Sequence, residues 1–279
     1  MTHPAMAPGR VAVVTGAANG IGLASIKRYA SFGMKVCLAD VDEAALAVAA
    51  KDVVEIAKGG TDDVMTVPTD VGRREDLLAL KDAVYDRFGE VAVLMNNAAT
   101  RARAGALDNV EAWEESLSIN LWGVINGTQA FVPAMIAQNS PCVVVNLSSK
   151  QGITLPPGNP SYNVSKAGVK AYTELLQHEL RNTDGCQVTA HLLVPGWTTR
   201  GGTEFQPGQW SPDQVVDVLL PAVEQGHFYI ICPDDDVTPE MDSKRIMWSA
   251  GDVAHNRPPL SRWHGDYGEA FEKFDPPAK

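Results

Sequence analysis

An apolar run from Arg10 to Thr15 passes directly into Gly16-Ala17-Ala18-Asn19-Gly20-Ile21-Gly22 and then into a helix-forming stretch that reaches about Phe32. This junction constrains the chain more than any other. A buried strand that turns on glycines into a helix opens a βαβ unit, and such a unit closes by returning to a parallel neighbour through a right-handed crossover. The return is legible: Lys35 to Ala39 is a second apolar run, ends in Asp40 and precedes a helical stretch from Ala44 to Lys58. Further strand-like runs at Asp63 to Pro68, Val91 to Met95, Cys142 to Leu147, Gln187 to Val194 and His227 to Cys232 alternate with helical stretches. The expected class is therefore α/β, a single doubly wound parallel sheet with helices on both faces. Residues 1–235 read as one domain. Residues 236–279 read as a C-terminal helix and a tail with Trp263, His264, Tyr267, Phe271 and Phe274, lying on the domain or on a neighbouring subunit.

Composition narrows the function classes. A hydrophobic content of 45% over 279 residues supports a full core, and a net charge of −11 argues against nucleic-acid binding. No apolar run reaches transmembrane length, and Met1 to Arg10 lacks the pattern of a signal peptide. Cys37, Cys142, Cys186 and Cys232 are scattered, mostly in apolar runs, and read as reduced thiols of a cytoplasmic protein; no Cys or His spacing suggests a metal.

The glycine-rich turn is suited to phosphate. Glycines let the backbone approach a pyrophosphate, and the following helix offers free N–H groups and a partial positive charge. Asp40, at the end of the second strand, can accept from ribose hydroxyls, cap the next helix, or both. Asp70 can cap the helix from Arg73 to Phe88 and can also face an adenine. Asn96-Asn97 at a strand end read as stitching near a ligand, since buried amides need partners. The stretch Glu111 to Gln138 reads as helical but broken at Gly123, Gly127 and Pro133; within it, Asn120 is either a satisfied core amide or the holder of a relay water.

Tyr162 and Lys166 stand four apart at the start of a helical stretch that continues to Arg181, so both lie on one face. A cation about 4 Å from a phenol, at an effective dielectric near 20, supplies about 4 kcal/mol. That is roughly what bringing a tyrosine from about pH 10 to neutrality needs. Lys166 is placed to be that cation.

Taken together, these motifs resemble the short-chain dehydrogenase/reductase family over about Val11 to Ile231: T-G-x-x-x-G-I-G at Thr15 to Gly22, Asp70-Val71, Asn96 to Ala99, Ile119-Asn120-Leu121, a serine 13 residues before the tyrosine, Tyr162 to Lys166, and Pro195-Gly196. Ala99 stands where glycine is usual, and Thr198 and Thr199 come slightly early after the Pro-Gly turn. The resemblance implies a Rossmann sheet and a nicotinamide cofactor, NAD rather than NADP because of Asp40. It implies cofactor contacts at Gly16, Asn19, Gly20, Ile21, Gly22, Asp70, Val71, Asn97, Pro195, Gly196 and either threonine, besides Tyr162 and Lys166. It further implies Tyr162 as general acid/base, Lys166 lowering its pKa, Ser149 orienting a substrate oxygen, and Asn120 positioning a water. The implied activity is hydride transfer between NAD and a secondary alcohol or ketone, in a homotetramer or dimer. The competing readings are a dinucleotide sensor or scaffold without turnover, and an epimerase or dehydratase of the same fold.

Substrate walls are expected from Gln151, Ile153, Leu155, Trp197, Phe205 and Trp210, which favours a bulky, mostly apolar alcohol. Arg101 and Arg103 are placed at the rim; with Lys150 they either favour an anionic substrate or are simply solvated, and solvation is the reading taken. The glycine-bearing loop from Gly201 to Gly208 and the aromatic tail are expected to act on substrate access, the tail near a partner's site.

Overall fold

The computed structural model describes residues 3–201, 206–234 and 236–276. Seven strands are described: β1 Val11–Thr15, β2 Lys35–Asp40, β3 Val64–Pro68, β4 Val93–Asn96, β5 Cys142–Leu147, β6 Val188–Val194 and β7 Tyr229–Ile231. All pair in parallel, in the order β3-β2-β1-β4-β5-β6-β7. The helices are α1 Gly20–Ser31, α2 Glu43–Ile56, α3 Arg74–Phe88, α4 Val110–Leu117, α5 Gly123–Ala137, α6 Gln151–Thr154, α7 Pro160–Arg181, α8 Pro212–Glu224, α9 Pro239–Ala254 and α10 Gly268–Lys273.

The continuous apolar runs follow from burial on both faces. Ala12 and Val14 of β1 point into a core with Ile26 and Tyr29 of α1, Leu46 and Val53 of α2, and Val215 and Leu219 of α8. Val11 and Val13 point the other way, against Leu77 and Val84 of α3, Phe131 of α5 and Leu180 of α7. With period-two alternation, both sides of a strand must then be hydrophobic. No helix among the described residues is long and apolar enough to cross a membrane, and all four cysteines are free.

The sheet order reverses at β1, whose two neighbours β2 and β4 lead to opposite edges. The carboxyl ends of β1 and β4 therefore diverge into a crevice, the place where open α/β sheets take ligands. A buried polar ladder crosses the sheet beside it. Asn96 Nδ2 donates to Asn146 Oδ1 at 2.9 Å and to Thr128 Oγ1 at 3.2 Å, and Asn146 Nδ2 donates to Thr173 Oγ1 at 3.1 Å.

Two local expectations change. The stretch after Val110 is not broken at Gly127 or Pro133, since α5 runs through both. The irregularity lies earlier, in a π-helical turn at Ser118–Trp122. Gly127 serves packing instead, because a Cβ there would run into the Asn96 side chain. The C-terminal segment is also more ordered than its lack of periodicity suggests. Trp248 of α9 meets Phe271 and Phe274 edge-on, with ring centroids 5.5 Å and 5.3 Å away, and Arg257 lies 3.9 Å over its ring. Asp252 accepts from Arg257 Nε at 2.9 Å and from the Ser261 N–H at 3.0 Å, which folds the tail back onto α9.

Candidate active site

A groove of about 430 Å³ runs along the carboxyl ends of β1, β2, β4, β5 and β6. It begins between the glycine turn and Asp40 and ends at Ser149 and Tyr162. Gly16, Asn19, Gly20, Ile21, Asp40, Asp70, Val71, Asn97, Pro195, Gly196, Thr198 and Thr199 all line it. Ala98 to Arg101, Ile119 and Arg200 line it too.

The glycine turn is held tightly. Asn97 Nδ2 donates to the carbonyls of Thr15 at 2.9 Å and Gly16 at 3.0 Å, so Asn97 ties β4 to the turn. Gly22 lies beneath, outside the groove wall. A Cβ at Gly22 would sit 2.6 Å from Asn97 Nδ2 and closer still to the Gly16 carbonyl. Gly22→Ala should therefore destabilise the fold by about 1–3 kcal/mol, the usual cost of overpacking, and weaken dinucleotide binding. Denaturant melts with and without NAD measure both effects. A fully stable variant with unchanged affinity would remove Gly22 from the cradle.

Of the two roles read for Asp40, ribose acceptor and cap of the next helix, the cap falls to Asp42. The Asp40 carboxylate accepts from the Ala18 N–H at 3.0 Å and the Asp42 N–H at 3.2 Å while lining the groove. Asp70 does not cap α3; it accepts from the Gly72 N–H at 2.9 Å, and the residue before α3, Arg73, makes no side-chain cap. The Gly20 N–H donates to the Arg200 carbonyl at 3.0 Å, so the segment after β6 straps across the start of α1. Thr198 and Thr199 both stay at the groove, with Thr199 Oγ1 accepting from the Gly201 N–H at 3.2 Å.

Tyr162, in the first turn of α7, has the Ser149 side chain beside its phenol at the end of the groove, and Ser149 Oγ accepts from the Gln151 N–H at 3.2 Å. Ser148 does not compete, because its hydroxyl is spent on the Lys166 carbonyl at 2.8 Å. Lys166 is fully buried beneath the tyrosine, with Nζ 5.8 Å from the ring centroid and 2.8 Å from the Leu147 carbonyl to which it donates. The electrostatics differ from the simple cation–phenol pair read from the spacing. Burial pushes the Tyr162 phenol up, against downward pulls from Ser149 and then Arg101. Burial also drives Lys166 down to about 7, which weakens the cation that was to activate the phenol.

The low Lys166 pKa has a consequence for stability. Below about pH 7 the native and the unfolded chain both hold the proton, and the native state bears the full cost of a buried charge. Between about 7 and the ordinary 10.5 the unfolded chain keeps the proton and the native chain has lost it, so the cost fades as pH rises. The stability of Lys166→Met relative to the parent should thus be greatest at about pH 6 and decline steadily to about pH 10. Denaturant melts across that range check it. A pH-independent difference would mean that Lys166 is solvated.

Asn120 sits in the π turn, fully buried. Its Nδ2 lies within hydrogen-bond distance of the Thr100 carbonyl, Ser116 Oγ and Ser165 Oγ, and its Oδ1 accepts from the Thr100 N–H at 2.8 Å. It fastens the loop after β4 to α7 next to Tyr162 and lines neither cavity.

A second cavity of about 540 Å³ opens from the same end, sharing Arg101, Ser149, Tyr162 and Gly196 with the groove. Gln151 and Trp197 line it. Ile153 and Trp210 do not: Ile153 packs against Val124, Val169 and Leu192, and Trp210 packs on the core while exchanging backbone hydrogen bonds with Trp197 and Thr199. Leu155 is also outside it. Phe205 lies outside the described residues. The wall contains two residues that the sequence did not point to, Arg245 of α9 and Arg262 of the tail. The tail thus reaches a cavity of its own chain.

Residues 10–208 match the model of the short chain dehydrogenases. The chain belongs to the short-chain dehydrogenase/reductase family. A putative oxidoreductase of Mycobacterium tuberculosis is 38% identical over 174 residues, 62% of this chain and 61% of that protein, so the match spans less than two thirds of the relative's length. Among solved structures, a short-chain dehydrogenase/reductase from Burkholderia phymatum in complex with NAD superposes with a TM-score of 0.80 and 30% identity, covering 98% of this chain and 99% of that one. A metagenomic short-chain oxidoreductase in complex with NADP gives a TM-score of 0.67 and 27% identity, covering 81% of this chain and 97% of that one.

Proposed function

We propose that the protein transfers hydride between NAD(H) and a secondary alcohol or its ketone, with Tyr162 as the general acid/base. The observation that carries this reading is the meeting of Ser149 and Tyr162 at the junction of two cavities, with Lys166 buried behind the ring. The groove fits a dinucleotide: it crosses the switch point of the sheet, and its glycine turn is closed so tightly that a Cβ at Gly22 would fill it. Gly16, Asn19, Gly20 and Ile21 would hold the phosphates, with Gly22 supporting them. Asp40 would take the ribose, Asp70 and Val71 the adenine, and Asn97, Pro195, Gly196, Thr198 and Thr199 the nicotinamide end. NAD, when bound, supplies the hydride acceptor.

In oxidation Tyr162 Oη takes the proton from the substrate hydroxyl, and in reduction it returns it. The Ser149 hydroxyl hydrogen-bonds the same oxygen, where negative charge develops. Lys166, held by the Leu147 carbonyl, stands behind the ring, and Asn120 fixes the loop that carries Arg101. One structural neighbour holds NAD and another NADP, so the preference for NAD rests on Asp40. Action in the cytoplasm and assembly as a homotetramer or dimer belong to the same reading. A panel of secondary alcohols followed by NADH absorbance tests it. Turnover of none of them, in either direction, would turn attention to the sensor reading.

A further inference from the structure

The second cavity carries an excess of positive charge. Arg101 and Arg103 come from the loop after β4, Arg245 from α9 and Arg262 from the tail. The fifth cation, Lys150, is already neutralised, 2.7 Å from a carboxylate oxygen of Asp242 and 3.2 Å from one of Asp234. Asp234 is the only acidic residue among the described residues lining the cavity. None of the four arginines forms an ion pair among the described residues, whose arginine pairs involve Arg10, Arg28, Arg73 and Arg257.

Two of the four are also costly as they stand. Arg245 Nε and Arg262 Nη1 are buried with no hydrogen-bond partner among the described residues. Burial, and then the neighbouring Arg245, push Arg262 below the ordinary arginine range. Buried guanidinium donors without acceptors persist only against a penalty that a bound anion would remove. The Arg262 group is meanwhile held in place, 4.1 Å over the Trp263 ring and 5.6 Å from the Phe271 centroid. A fixed, planar, five-donor fork suits an oxyanion, which it grips bidentately.

We propose that the second cavity is an oxyanion subsite and that the substrate is an anionic secondary alcohol, whose carboxylate or phosphate ester is taken by Arg245 and Arg262 while its carbinol lies at Tyr162. This rests on the hydride-transfer reading above. The redox balance is unchanged: the carbinol carbon gives a hydride to NAD, its hydroxyl gives a proton to Tyr162, and the anionic group takes no part. The apolar alcohol suggested by Trp197 and Trp210 gives way, since Trp210 is not in the wall and the wall is cationic.

Two measurements test the proposal separately from the chemistry. Calorimetry on the full chain with glutarate and with inorganic phosphate asks only about the subsite. Binding of either that weakens about 10- to 100-fold in Arg262→Met and in Arg245→Gln, with the fold checked by circular dichroism, supports it. Glutarate and phosphate distinguish a carboxylate from a phosphate ester. No binding of either to the parent protein, or binding unaltered in both variants, overturns it. Kinetics with hydroxy acids of increasing length and their methyl esters then read the subsite in turnover. The acid-to-ester ratio of kcat/KM should exceed about 10 in the parent and fall toward one in the variants, chiefly through KM. A parent enzyme that prefers the esters would overturn the proposal, while a protein that binds glutarate but oxidises no alcohol would sink the hydride-transfer reading alone.

Discussion

Tyr162→Phe should lower kcat for alcohol oxidation by roughly 100-fold or more, the usual contribution of a positioned acid or base, while leaving NADH affinity nearly unchanged. The substitution keeps the ring over Lys166 and the first turn of α7 and removes only the hydroxyl that meets Ser149. A variant that turns over near the parent rate would place the proton transfer elsewhere. The pH profile gives an independent reading. Oxidation needs the phenolate, which is populated above the phenol pKa, and burial pushes that pKa up in the ligand-free protein. The kcat/KM for oxidation reports groups of the free enzyme, so it should climb through the alkaline range. Reduction needs the phenol and should hold level until that range is reached. A flat oxidation profile from about pH 6 to about pH 10, with chemistry rate-limiting, would contradict the assignment.

NAD should be preferred over NADP by about 30- to 150-fold in kcat/KM, corresponding to about 2–3 kcal/mol. The cause is the Asp40 carboxylate, held at the groove by the Ala18 and Asp42 N–H groups. Two unit charges about 4 Å apart repel by roughly 4 kcal/mol at an effective dielectric near 20, and screening reduces this. The two hydrogen bonds limit the freedom of the carboxylate to swing away from a 2′-phosphate. Val41 and Asp42 follow it, and neither offers a cation to offset the repulsion. Measuring both cofactors with one alcohol at one ionic strength checks the ratio, and Asp40→Ala should narrow it chiefly by improving NADP. Equal use of the two cofactors by the parent, or an unaltered preference in Asp40→Ala, would assign the selection to another residue.

The sheet was legible because each of its inner strands is buried on both faces, so Val11–Val14 and Cys142–Val145 run apolar without alternation. The glycine turn was legible for a related reason: Gly22 packs against backbone, and only glycine fits. The environment of Tyr162 was less so. Spacing placed Lys166 on the same helix face, but the depth of burial that drives both groups toward neutrality is a property of the whole fold. Asn120 was left between two roles, and the π turn that points it at Thr100 and Ser165 depends on packing that no local pattern encodes. Trp210 was misread because an aromatic residue in a loop looks the same whether it faces a cavity or the core. Arg245 and Arg262 carried no local signal at all, since they join Tyr162 only when the tail folds back over Trp248.

That fold-back divides the labour of the chain. The groups that would move the proton and hold the dinucleotide all come from strand ends and the first turns of helices before residue 200, within the stretch shared with the family. The two cavity-lining guanidiniums of Arg245 and Arg262 come from beyond that stretch, on a segment pinned by Trp248, Asp252 and Ser261. Evolution can therefore rewrite what is accepted by exchanging some forty terminal residues, with the reaction itself left intact. The same seam offers a designer a place to graft a new selectivity onto an old catalyst.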